Sequence, residues 1–317
     1  MSVFLRSLFV ISLVLVTALP ELLAQTTRRG QQPAATREIE IMSEPGAVVS
    51  VDGVKFGKTD GSGRLLIKTI PSGGHTITVR ADGYKAKSQA LTALQKGEIS
   101  IPLLKTSDEA ELAFQEAERL TTVDREKAAE AFRRAIKLKP AFPEAYVALA
   151  RVLSDAGELE EAQKAIASAQ RLRPGYAEAT AVEGRIYKDN GEEAKAIAAF
   201  KKAISQGKGF QPEAYAGLGI LYKEKAEGAG GSGDFQGENE NYTEAAKYLR
   251  TALKQLSGAP DSIVLYQLLG LVYERQKRID DAIATYEEFL RIFPDTAEAT
   301  AVRSFIVQLR KDRNEGQ

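Results

Sequence analysis

AFPEAYVALARVLSDAGELEEAQKAIASAQRLRP, Ala141 to Pro174, is one copy of a unit that recurs along the second half of the chain with a period of 34 residues. Ala128, Ala162 and Ala196 keep that period, as do Ala135, Ala169 and Ala203, while Phe132, Ile166 and Phe200 hold the same offset. Pro140 and Pro174 close two successive units. Within the quoted copy, Tyr146, Leu149, Ala150 and Leu153 fall on one face of a first helix, and Ala162, Ile166 and Ala169 on one face of a second. Ala156-Gly157-Glu158-Leu159 supplies the turn between them. A single helix pair cannot bury its apolar face alone, so successive pairs must stack into an all-α solenoid. A solenoid offers an extended concave surface suited to a peptide or partner protein, and no enclosed cleft for a catalytic constellation.

These positions resemble the tetratricopeptide repeat, and the resemblance extends over about five units. Gly184, Tyr187, Ala196, Phe200 and Ala203 match in the third unit; Tyr215, Leu218, Gly219, Tyr222, Ala245, Leu249 and Ala252 in the fourth. Tyr266, Leu269, Gly270, Tyr273, Ala282, Tyr286 and Pro294 match in the fifth. The first unit is degenerate, with Leu112, Ala117 and Leu120 in its leading helix, and a last amphipathic helix carrying Ala299, Val302, Phe305, Ile306 and Leu309 caps the array. Gly184, Gly219 and Gly270 are expected where paired helices approach closely. Gly219 and Ala245 are 26 positions apart, whereas Gly184 and Ala196 are 12 apart, so the fourth unit carries an insertion, residues 228–241. Its Gly228, Gly230, Gly231, Gly233 and Gly237, interspersed with Asp234, Glu238 and Glu240, predict a mobile acidic loop at the helix turn. No Lys-Ser/Thr follows these glycines as a nucleotide loop requires, and the order of the acidic residues does not fit the helix-loop-helix calcium motif.

The resemblance implies which first-helix residues face a ligand groove: Val147, Arg151 and Ser154, then Ala181, Arg185 and Lys188, then Ala216, Ile220 and Lys223, then Gln267, Leu271 and Glu274. Of these, Val147, Arg151, Arg185, Lys188, Ile220 and Lys223 are the candidate partner-binding residues. Arg151 and Arg185 are 34 apart and should stack on neighbouring helices, with Lys188 and Lys223 continuing a basic track. Arginines so placed can hold a carboxylate bidentately, so the expected partner is a protein or peptide with an acidic segment. The competing reading pairs Arg151 with Asp155 and Arg185 with Asp189, each four residues on along a helix surface. The asparagine-and-lysine clamp that some members use for the C-terminal tails of chaperones is absent.

Upstream the pattern changes to short strands: Glu38-Ile39-Glu40-Ile41, Val48-Val49-Ser50-Val51, Leu65-Leu66-Ile67 and Thr76-Ile77-Thr78-Val79, with two more over Ala86–Leu91 and Glu98–Leu103. Asp52-Gly53, Asp60-Gly61-Ser62-Gly63, Ser72-Gly73-Gly74 and Asp82-Gly83 mark the reversals. This predicts a small antiparallel β-sandwich. Glu44-Pro45-Gly46-Ala47, Val51-Asp52-Gly53, Gly57-Lys58-Thr59, Pro71-Ser72-Gly73-Gly74-His75-Thr76-Ile77-Thr78-Val79 and Gly83-Tyr84 resemble the PEGA domain, with Thr59-Asp60 standing where Thr-Pro is usual. The resemblance implies a surface or envelope β module without enzymatic activity. His75 is the sole histidine and has no spaced partner ligands, so its expected role is structural, as is that of Tyr84.

Residues 1–24 read as an export signal, with Arg6, an apolar run from Leu8 to Val16 and a small-residue exit at Ala24. That run is shorter than the roughly 20 residues that span a bilayer, although retention as an anchor is the alternative. Residues 25–36 read as a flexible tether, 37–106 as the β module and 107–317 as the repeat array. Lys plus Arg balances Asp plus Glu at 43 each, which removes the basic field that gathers nucleic acid. Cysteine is absent, which removes disulfides, thiolate metal sites and a lipid-modified N-terminal cysteine. No catalytic motif, cofactor site or metal spacing is present. The sequence thus points to a non-enzymatic interaction or scaffold protein, exported to the periplasm or cell envelope. The alternative is a cell-wall or surface-glycan binder acting through the β module, a reading weakened by the absence of Trp.

Overall fold

The computed structural model describes residues 36–71, 73–256 and 258–315. The export-signal and tether readings, 1–24 and 25–36, lie outside these residues apart from Thr36, which begins the first strand. Nine short strands come first: β1 (Thr36–Met42), β2 (Val48–Val51), β3 (Val54–Lys58), β4 (Arg64–Pro71), β5 (His75–Arg80), β6 (Tyr84–Lys85), β7 (Lys87–Leu91), β8 (Gly97–Ser100) and β9 (Leu104–Lys105). They form a three-stranded sheet in the order β4-β1-β8, a four-stranded sheet in the order β3-β2-β5-β7, and a β6-β9 ribbon. Ile39, Ile41, Ile67 and Ile99 of the first sheet share one core with Val49, Val51, Ile77, Val79 and Leu91 of the second, so alternate residues of each strand meet in the middle. The arrangement departs from the all-antiparallel expectation in one pair, because β8 lies parallel to β1. β8 re-enters the first sheet only after the chain has traversed the second, a connection long enough to return it in the direction of β1.

Eleven helices follow among the described residues: α1 (Glu109–Leu120), α2 (Arg125–Leu138), α3 (Pro143–Asp155), α4 (Leu159–Leu172), α5 (Ala177–Asp189), α6 (Glu193–Gln206), α7 (Pro212–Gly231), α8 (Phe235–Leu256), α9 (Ser262–Arg275), α10 (Ile279–Ile292) and α11 (Ala299–Glu315). Local chemistry sets several boundaries. Asp108 and Asp124 cap the free N–H groups that open α1 and α2, and Pro143 and Pro212 begin α3 and α7. Each helix pairs with its sequence neighbour, and the small residues fall at the contact. A Cβ built on Gly184 would lie 2.7 Å from the Phe200 ring, one on Gly219 2.7 Å from Leu249 Cγ, and one on Gly270 2.3 Å from the Tyr286 ring. Gly217, not singled out in the sequence, abuts Phe200 from the following repeat, where a Cβ would lie 2.3 Å from the ring. Ala299, Val302, Ile306 and Leu309 of α11 are buried on the last pair, whereas Phe305, expected among them, is half exposed.

The insertion of the fourth unit is not the loop that its composition predicts. α7 continues to Gly231 and α8 restarts at Phe235, so the added residues lengthen both helices. Ser232, Gly233 and Asp234 make the turn, where Gly233 takes φ +83° and Asp234 Oδ1 accepts the Gly237 N–H at 2.9 Å. Burial of Ala226 and Tyr242, which flank the extension, helps offset the weak helix preference of its glycines.

Candidate partner-binding face

The first helices of successive units touch in series, α3 with α5, α5 with α7 and α7 with α9. They therefore line the inner, concave side of the array. Arg151 on α3 reaches across this face: its Nη1 and Nη2 donate to Glu213 of α7 at 2.5 and 2.6 Å, and Nη2 also donates to Glu178 of α5 at 3.1 Å. Desolvation alone would lower the pKa of Arg151, but the charges and hydrogen bonds of Glu213 and Glu178 raise it. Arg185 pairs with Asp155 of α3 and lies 3.7 Å from Asp189. Lys188 holds Asp189 at 2.9 Å and Glu224 at 3.8 Å, and Lys223 holds Glu227 at 2.7 Å. The candidate cations thus form a ladder of ion pairs, in which Asp155 serves Arg185 and Arg151 takes carboxylates one and two repeats on. They do not form a track of unpaired positive charge.

Two apolar candidates separate. Ile220 is half-buried on α7, but Val147 is only 2% exposed and lies in the core that α3 shares with α4 and α5, out of reach of any ligand. Ala181 is likewise fully buried, and Ser154, at 6% exposure, donates from Oγ to Asp189 at 3.2 Å. Close stacking of neighbouring first helices covers these positions.

The same face carries something that the sequence does not announce. Asp52 and Gly53, at φ +49° and +83°, make the two-residue turn joining β2 to β3. The turn is pinned to its own module: Asp52 Oδ1 accepts the Thr76 N–H at 2.7 Å, and Asp52 Oδ2 meets His75 Nδ1 at 2.5 Å. Beyond it the hairpin runs onto the array. Val54, 9% exposed, belongs to the apolar cluster of α7 to α11 and has no place in the sandwich core, while Phe56 packs against both. A Cβ on Gly53 would come within 3.6 Å of Glu178 Oε2, above the carboxylate that also binds Arg151 and the Tyr176 hydroxyl. The His75 side chain, 6% exposed, meets the Phe210 ring edge-on at 5.9 Å in the connection before α7, consistent with a structural role.

A second attachment lies at α1. Arg80 donates to Glu111 at 2.9 Å, lies 3.6 Å from Glu118 and covers the Phe114 ring at 4.4 Å. Gln115 accepts the Gly83 N–H at 2.9 Å and donates to the Tyr84 carbonyl at 2.7 Å. The β module and the array accordingly belong to one compact unit, residues 34–317. No pattern in the chain marks Gln115 or Arg80 as contacts, since each is one polar residue among many. An apolar Val54 beside an Asp-Gly turn is the only sequence signal for the attachment. Among the described residues no group of three or more His, Cys, Asp or Glu is placed to hold a metal ion, and no helix is long and apolar enough to cross a membrane.

Tetratricopeptide-repeat family models match residues 124–186, 177–206 and 224–295, so the C-terminal part of the chain consists of these repeats. No curated protein matches the sequence. Among solved structures the chain is similar to the APC/C hetero-tetramer Cut9–Hcn1, at 19% identity over 65% of this chain and 37% of that one with a TM-score of 0.47. It is similar to Tom70 of yeast at 18% identity, over 66% of this chain and 41% of that one, with a TM-score of 0.51. A thermophilic TPR protein of Thermus thermophilus matches at 20% identity, over 63% of this chain and 98% of that one, with a TM-score of 0.48. The chain spans less than half the length of the first two, and identities of this size speak to the fold alone.

Proposed function

We propose that this chain, its C-terminal part built of tetratricopeptide repeats, is a non-enzymatic protein-interaction scaffold of the bacterial cell envelope. Its partner is a protein or peptide held on the concave face of the array. The observation that carries the reading is the uninterrupted series of first helices from α3 to α9, with Ile220 and the ion-pair ladder presented along it. The PEGA-like turns at Glu44–Ala47 and Gly57–Thr59 support the envelope assignment, and they serve architecture: Thr59 Oγ1 donates to the Glu44 carbonyl at 2.6 Å and accepts the Ala47 N–H at 2.8 Å.

A photo-crosslinking side chain at Ile220, compared with one at Ala167 on the outer helix α4, tests the reading in envelope extract. A specific protein adduct from the Ile220 position alone is expected. Equal labelling from both positions, or carbohydrate adducts only, would overturn it in favour of an outer-face or wall-binding role. Fractionation of the full-length chain tests the location, which recovery in the cytoplasm would contradict.

A further inference from the structure

We infer that the β2–β3 hairpin is a tethered, displaceable occupant of the concave face, and that the partner of this face carries the same chemistry as the hairpin. That chemistry is a tight turn with a glycine at its tip and a branched aliphatic shoulder. The inference rests on the scaffold reading and specifies its ligand. It replaces the acidic segment expected from sequence, because Arg151, Arg185, Lys188 and Lys223 already hold carboxylates.

Four features support it. Val54 is buried by the array and contributes nothing to the core of its own sandwich, so its burial serves the contact and not the β fold. The tip is Gly53, whose φ of +83° favours a residue without a side chain, and a Cβ built there would be in ordinary contact with Glu178 at 3.6 Å. Arg80 of β5, the strand paired with β2, faces carboxylates of the array: it is held by Glu111 at 2.9 Å and lies 3.6 Å from Glu118. Finally, the apolar part of the attachment is small, Val54 and Phe56 with the His75–Phe210 ring contact, and ion pairs and hydrogen bonds surround it. Contacts of that composition resemble transient interfaces between domains, which open more readily than cores.

The test uses the full-length chain and a fluorescent, backbone-cyclised peptide of residues 48–58 as the probe, cyclised because an isolated hairpin is marginally stable. Binding is read by anisotropy on the wild type, on Val54→Asp and on Arg80→Gln, each checked for folding by circular dichroism. The second variant loosens the attachment at α1 through a side chain of β5, leaving the sequence of the hairpin unchanged. Both variants are expected to bind the probe at least about tenfold more tightly than the wild type, whose own hairpin competes. A probe carrying the Val54→Asp change should not bind. Equal affinity for all three chains, or no binding to the folded variants, would overturn the inference. The Ile220 crosslinking separates the two proposals. A partner captured equally by wild type and Val54→Asp sinks the displacement inference and leaves the scaffold reading intact. Absence of any adduct from both chains sinks the scaffold reading, while the anisotropy result still decides whether the face takes a hairpin.

Discussion

At the scale of single residues, the repeat is held by what its small side chains leave out. Leu249 presents both side chain and backbone to Gly219, with its N atom 3.1 Å from a Cβ built there, so neither can swing aside cheaply. Gly219→Leu should cost about 1–3 kcal/mol through overpacking, read as a shift in thermal or urea unfolding, and an unchanged curve would refute the packing role. Arg151 is constrained in a different way, since removing it leaves Glu178 and Glu213 facing one another. A double-mutant cycle with Arg151→Gln and Glu213→Gln should give a coupling of about 0.5–3 kcal/mol, and additive effects would show the bidentate pair to be inert. The glycines were legible in the sequence because they recur at a fixed place in the unit. The partner of Arg151 was not, because Glu213 lies 62 residues away and an ion pair across two repeats leaves no periodic trace.

At the scale of elements, α7 and α8 show where composition misleads. Five glycines between Gly228 and Gly237 argue for a loop by propensity, yet propensity is a weak prior once neighbouring turns pack. Gly228 faces open space within its helix, so Gly228→Ala should stabilise the protein by about 0.5–1 kcal/mol, the reverse of the sign expected at the tightly packed Gly219. Hydrogen exchange adds a direct check. Amides at Lys225–Glu227 and Tyr242 should be protected well beyond those of Ser232–Asp234, and uniform rapid exchange from 225 to 242 would restore the loop. Of the described β strands, alternation and turn residues located β1, β2, β4, β5, β7 and β8 and missed β3, β6 and β9, while the parallel β1–β8 pairing stayed hidden because strand order is a property of the whole module.

At the scale of the whole molecule, the two modules are joined through a few side chains of each. Heat should unfold the wild-type chain in one cooperative transition, with Val54→Asp combined with Arg80→Gln separating it into two in scanning calorimetry. Two transitions in the wild type itself would mean that the docking is too weak to couple them. The organisation into a β region and a helical array was legible because the periodicity changes near residue 105. The docking was not, since its apolar part comes down to one valine, one shared phenylalanine and the His75–Phe210 ring contact.

The connection between modules is short: β9 ends at Lys105 and α1 begins at Glu109. A ligand on so brief a leash faces its site at an effective concentration of about a millimolar or more. A free competitor of equal intrinsic affinity present at about 1 μM would hold only about one array in a thousand. A ligand that displaced the hairpin would therefore need a further foothold beyond the footprint of the hairpin. On the inference above, the leash would act as a threshold that filters out partners engaging the groove alone.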